Sequence, residues 1–140
     1  GRTPLTEDAF WEMLQQQSSE GVNNAKQILD HMGEIPQVVL KMRRSAISCR
    51  LILTDSDQKV SLFFITTSGT VEFWPETVLG QIRNAGIDPQ IADEYRIKIA
   101  SVLKMKRPSQ SYYYPISKIN VKIVEEFIQK ILNAEIKKED

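Results

Sequence analysis

Between Val38 and Trp74 the chain carries four strand-like runs separated only by short turns. A parallel crossover needs about a dozen residues, so runs joined this tightly must pair antiparallel. In the first, Val38, Leu40 and Met42 alternate with Val39, Lys41 and Arg43. The second, Ile47 to Leu53, is apolar and β-branched with Arg50 at its centre. Thr54-Asp55-Ser56-Asp57-Gln58 is rich in turn formers. Lys59 to Thr66 reads KVSLFFIT, Ser68-Gly69 supplies a hairpin turn, and Thr70 to Trp74 returns. Pro75 ends this antiparallel meander.

Helical spacing brackets the strand block on both sides. Thr6 is an N-cap with Glu7 and Asp8 in the first turn, followed by Phe10, Met13 and Leu14. Ser18 or Ser19 caps a second helix with Val22, Ala25, Ile28, Leu29 and Met32 on one face. Gly33 is placed as its left-handed stop, with Pro36 beyond. After Pro75, Val78, Leu79 and Ile82 mark a helix that Gly86 closes. Asp88-Pro89 starts another, with Ile91, Ala92, Tyr95 and Ile99 facing inward. Tyr112 to Ile116 reads as a short edge strand, because Pro115 cannot donate to a central ladder. Asn120 caps the last helix. Strands and helices segregated in this way predict an α+β fold. The expectation is an N-terminal helical pair, an antiparallel meander of three to five strands, and C-terminal helices packed on one sheet face.

With 140 residues and no linker, repeat or low-complexity tract, one domain is expected over residues 1–140. Gly1-Arg2-Thr3-Pro4 has neither an initiator methionine nor an apolar signal core. The single cysteine, Cys49, allows no intrachain disulfide and fits a reducing compartment. No apolar run approaches the roughly 18 residues of a membrane span. The expected parent is therefore a longer cytoplasmic protein with no membrane partner.

Several chemistries lack their residues. One cysteine and one histidine cannot supply the four ligands of a structural zinc site. Cys49 lies on an apolar strand and reads as an inert buried thiol rather than the partner of His31. His31, in the last turn of the second helix, suits a capping role. No glycine-rich phosphate loop and no nucleophile elbow are present. Asp55, Asp57 and Lys59 have a spacing found in metal-dependent phosphodiesterases, where carboxylates hold Mg²⁺ and lysine stabilises charge. They sit at a turn, and Glu72 would have to converge on them. No catalytic residue, metal ligand or cofactor is expected.

The formal net charge is zero, but the charges are segregated. From Ile35 to Thr54 there are four bases (Lys41, Arg43, Arg44, Arg50) and no acid. From Tyr95 to Val124 there are seven bases (Arg96, Lys98, Lys104, Lys106, Arg107, Lys118, Lys122) and no acid. From Gly1 to Glu34 six acids meet two bases. Either the acidic helices neutralise the basic stretches, or those stretches form a cationic surface. Lys104, Lys106 and Arg107 run into Tyr112, Tyr113 and Tyr114. Cations neutralise phosphates, and aromatic faces stack on unpaired bases. With Lys41, Arg43 and Arg50, these residues form the candidate nucleic-acid surface. Lys41 and Arg43 share a strand face by parity. The alternative is a protein-interaction or homodimerisation module using Trp11, Trp74 and the Tyr112–Ile116 edge, or a contact with other domains of a parent protein.

Two stretches carry a resemblance. Leu5-Thr6 with Phe10 and Leu14, then Ser61-Leu62-Phe63 and Thr67-Ser68-Gly69-Thr70-Val71-Glu72-Phe73, resemble a group of uncharacterised bacterial domains. That group carries an L-T-x-x-x-F start and an S-L-F…T-x-G-T-V-E hairpin, and some members are linked with nuclease-type proteins. The glycine-rich basic stretch expected before the hairpin is missing here, and the residues after Trp74 differ. The resemblance implies an accessory module and transfers no active site, because the matching positions are turn, strand and cap residues.

Overall fold

A computed structural model describes residues 3–54, 58–103 and 112–139. The described residues form two helices, α1 (Glu7–Gln17) and α2 (Ser19–Gly33), then four strands, β1 (Val38–Met42), β2 (Ala46–Ile52), β3 (Lys59–Thr66) and β4 (Thr70–Phe73). They continue with α3 (Pro75–Asn84), α4 (Pro89–Leu103), β5 (Tyr112–Pro115), a 3₁₀ turn at Ile116–Lys118, and α5 (Val121–Glu139). The fold is α+β. Its sheet is antiparallel throughout, with spatial order β1-β2-β3-β4-β5. None of the described helices is long and apolar enough to cross a membrane.

Local chemistry sets the helix ends. The Thr6 hydroxyl accepts from Ala9 N–H at 3.1 Å, and the Ser18 hydroxyl accepts from Gly21 N–H at 2.9 Å, so each satisfies an otherwise unpaired donor. Gly86, at φ 72°, closes α3 as a left-handed stop. Its N–H donates to the Arg83 carbonyl and that of Ile87 to the Ile82 carbonyl, the paired bonds of a Schellman ending. Gly33 departs from expectation. It is the last residue of α2, and Glu34 at φ −76° and ψ −15° is the cap, donating to the His31 and Met32 carbonyls. The chain turns out of α2 through right-handed geometry, so no left-handed glycine is needed.

The sheet has one core face. Ile47, Cys49 and Leu51 on β2, Val60, Phe63 and Ile65 on β3, and Val71 and Phe73 on β4 all join a single buried cluster with residues of all five helices. Tyr95 of α4 lies edge-on to Phe73 at 4.9 Å and stacks on Phe127 of α5 at 4.0 Å, tying the C-terminal helices to the sheet. A bulge makes this face continuous. Cys49 pairs with Phe63, but Arg50 pairs with Ser61, so β3 holds Leu62 as an extra residue. Beyond the bulge Val60, opposite Leu51, returns to the core face, and Ser61, opposite Arg50, goes to the other.

β4 pairs with β3 only at Phe64 and Ile65. Past that point side chains replace the strand. Gln81 of α3 accepts from Ser61 N–H at 2.8 Å and donates to the Ser61 hydroxyl at 3.2 Å. The Tyr95 hydroxyl donates to the Leu62 carbonyl at 3.0 Å. The Ser61 N–H and the Leu62 carbonyl, beyond the β3–β4 pairing, are thereby bonded.

Candidate functional site

The second sheet face is built from the positions that alternate with the core. Val39 and Lys41 of β1 lie opposite Arg50 and Ser48 of β2. Ser48 and Arg50 in turn lie opposite Phe64 and Ser61 of β3, and Phe64 lies opposite Glu72 of β4. The hairpin end is held by Thr66, whose hydroxyl bonds to those of Ser68 at 2.8 Å and Thr70 at 2.7 Å.

Three predicted cations meet on this face. Arg43 follows the last residue of β1, and its Nε donates to the Ser48 hydroxyl at 3.2 Å. That hydroxyl donates to the Lys41 carbonyl at 3.3 Å, so fully buried Ser48 anchors the guanidinium to the strand. Arg50 lies close enough to Arg43 for their charges to repel. Partial burial first, and Arg43 second, lower the pKa of Arg50 from its ordinary value. Arg43 Nη2 and Arg50 Nε are both inaccessible and without a hydrogen-bond partner. Among the described residues neither arginine forms an ion pair. Beside them, Phe64 packs against Trp74 at 5.2 Å, and Trp74 is 38% exposed. Phe64 and Ser48 were not among the sequence candidates, and Trp74 was named there only for a protein-interaction patch. Their signal was the parity of β2 and β3, which the bulge at Leu62 hides.

The second basic stretch behaves differently. Lys98 of α4 pairs with Glu126 of α5 at 2.9 Å, Lys130 of α5 with Glu94 of α4 at 2.6 Å, and Arg96 with Asp93 at 3.8 Å. The hydrogen bond to Glu126 raises the pKa of Lys98, and the same bond lowers that of Glu126. Here acids of the C-terminal helices pair with Arg96 and Lys98, while Lys118 and Lys122 form no ion pair among the described residues. Lys104, Lys106 and Arg107 lie outside the described residues. Tyr112, Tyr113 and Tyr114 occupy β5 positions opposite Phe73, Glu72 and Val71. Tyr113 thus shares its register position with Glu72 and Phe64, whereas Tyr112 and Tyr114 fall opposite core-face residues.

Cys49 is fully buried on the core face, and burial pushes its thiol pKa up to about 12. His31 of α2 bonds to Glu125 of α5, which joins the N-terminal pair to the last helix. The Glu135 carboxylate accepts from Thr54 N–H at 3.1 Å and the Thr54 hydroxyl at 3.0 Å. Asp55 and Asp57 lie outside the described residues. Lys59 pairs with Ile52, while Glu72 is opposite Phe64, five residues further along β3 and roughly 17 Å away. Glu72 therefore does not converge on Lys59. Among the described residues no three His, Cys, Asp or Glu side chains group as metal ligands.

Trp11 and Trp74 do not form one patch. Trp74 stands on the open face with Phe64. Trp11 lines a groove of about 430 Å³ on the core side, floored by Leu29, Leu40, Met42 and Ile47. Lys26 lies 5.3 Å above the Trp11 ring. Compared with family models, with curated proteins and with solved structures, the chain matches none.

Proposed function

We propose that the chain is a non-catalytic binding module of a larger protein, and that its open sheet face holds single-stranded nucleic acid. The observation that carries this reading is the Arg43–Arg50 pair. Two like charges stand together on a face with a single described strand carboxylate, Glu72, and neither is neutralised by an ion pair. An arrangement of that kind gains most from a polyanion. Guanidinium groups donate to phosphate oxygens in a fixed fork, and the half-exposed Trp74 offers a face on which an unpaired base stacks. A flat sheet face suits splayed single-stranded bases better than a duplex groove.

Fluorescence anisotropy with single-stranded and duplex oligonucleotides, across a salt series, tests this. Single strands should bind more tightly than duplex, with affinity falling linearly in log salt. The Arg43→Ala/Arg50→Ala double variant should lower the salt slope by about 0.7 for each phosphate contact removed. Trp74→Ala should cost about 1–3 kcal/mol of affinity while leaving that slope in place. Binding that is unchanged in the double arginine variant would sink the reading.

A further inference from the structure

β1 is an edge strand, and its outer side is unfinished. Arg43 N–H donates to the Ala46 carbonyl, and Ile52 N–H donates to the Gln37 carbonyl. Strict alternation then turns the backbone groups of Val39 and Lys41 toward β2, and those of Leu40 and Met42 outward. Among the described residues the N–H and C=O groups of Leu40 and Met42 have no partner. The N-terminal segment closes only the end of the strand, where Leu5 N–H donates to the Arg43 carbonyl at 3.1 Å. The edge is also apolar, with Val39 45% and Leu40 36% exposed. The groove floored by Leu40 and Met42 opens beside it.

We infer that this edge is a homodimer interface in which two copies pair their β1 strands antiparallel, Leu40 against Leu40 of the second copy. An unpaired row of backbone groups is completed by another extended strand. The sequence Val38-Val39-Leu40-Lys41-Met42 is self-complementary in this register. Val38 meets Met42 of the second copy, and Lys41 meets Val39, so no like charges stand opposite each other. The chain has no net charge to drive copies apart. The two-fold axis stands normal to the sheet, which keeps core faces on one side and open faces on the other. The five strands of each copy thus become one continuous sheet, with an Arg43–Arg50 pair on each half of one face. The pairing itself does not rest on the nucleic-acid reading, and its test contains no nucleic acid.

Sedimentation across a concentration series should show a reversible dimer of the whole chain. Leu40→Pro should be monomeric, because that N–H is not used in the β1–β2 ladder and proline blocks the outer one. Oxidised Leu40→Cys should form a disulfide dimer, since hydrogen-bonded antiparallel partners lie about 5.5 Å apart, within disulfide reach. Val38→Cys should not, because its copies would lie about 14 Å apart. Cys49 is buried and does not compete. A monomer at every concentration, or cross-linking of Val38→Cys as readily as Leu40→Cys, would overturn the inference.

Discussion

The two faces of this sheet are written by the same strands, one residue apart, yet they are finished differently. Ser48 on the open face is as inaccessible as Cys49 on the core face, each with no exposed surface. Burial therefore does not separate them. On the core side, apolar groups fill the space between sheet and helices, and the Tyr95 hydroxyl donates to the Leu62 carbonyl at the bulge. On the open side two guanidinium nitrogens are left without acceptors and the charges stand unpaired. A protein surface normally intersperses its charges, as α4 and α5 do through Lys98–Glu126 and Lys130–Glu94. The open face is where the molecule leaves its electrostatics incomplete, and it is the face to which a ligand can add most.

The comparison breaks first on the core side. Phe73→Ala removes a fully packed ring from between β4 and Tyr95. It should lower stability by about 3–5 kcal/mol in urea unfolding, the range for a buried aromatic truncated in a close-packed core. A loss below about 1 kcal/mol would mean that the core face is loosely packed and that the contrast between faces is false. A finer probe is Tyr95→Phe, which keeps both ring contacts but leaves the Leu62 carbonyl at the bulge without its donor. The expected loss is about 1 kcal/mol. No loss would mean that the bulge does not depend on α4.

Most of the fold was legible because it rests on local signals. Thr6, Ser18 and the Asp88-Pro89 start announced helix beginnings, and short turns between strand runs left only an antiparallel sheet. The faces were less legible. In KVSLFFIT, simple alternation puts Lys59 and Ser61 on the side of Phe63. Only the pairing of Arg50 with Ser61 reveals that Leu62 is extra and that the parity reverses there. A bulge is a relation between two strands, so one strand's pattern cannot announce it. The same limit applied to charge. Both acid-free stretches looked alike in sequence, but α5 brings Glu126 to Lys98, whereas no described acid pairs with Arg43 or Arg50.

The smallest effect makes the sharpest test of that last difference. Arg50 is held partly out of water beside another cation, and its Nε lacks a partner. Its charge therefore contributes little to folding, and what the side chain adds there is the apolar length of its methylene stem. Arg50→Met keeps most of that stem and removes the charge. A partly buried charge replaced by an apolar side chain of similar length is often neutral or stabilising. Stability should stay within about 0.5 kcal/mol of the parent, on the favourable side, in the same urea unfolding experiment. On the proposed reading, affinity for a single strand should nevertheless fall, with a salt slope lower by about 0.7 for the phosphate contact removed. A marked loss of stability with unchanged affinity would reverse the assignment. Arg50 would then belong to the finished architecture of the sheet, and the two faces would differ in composition but not in purpose.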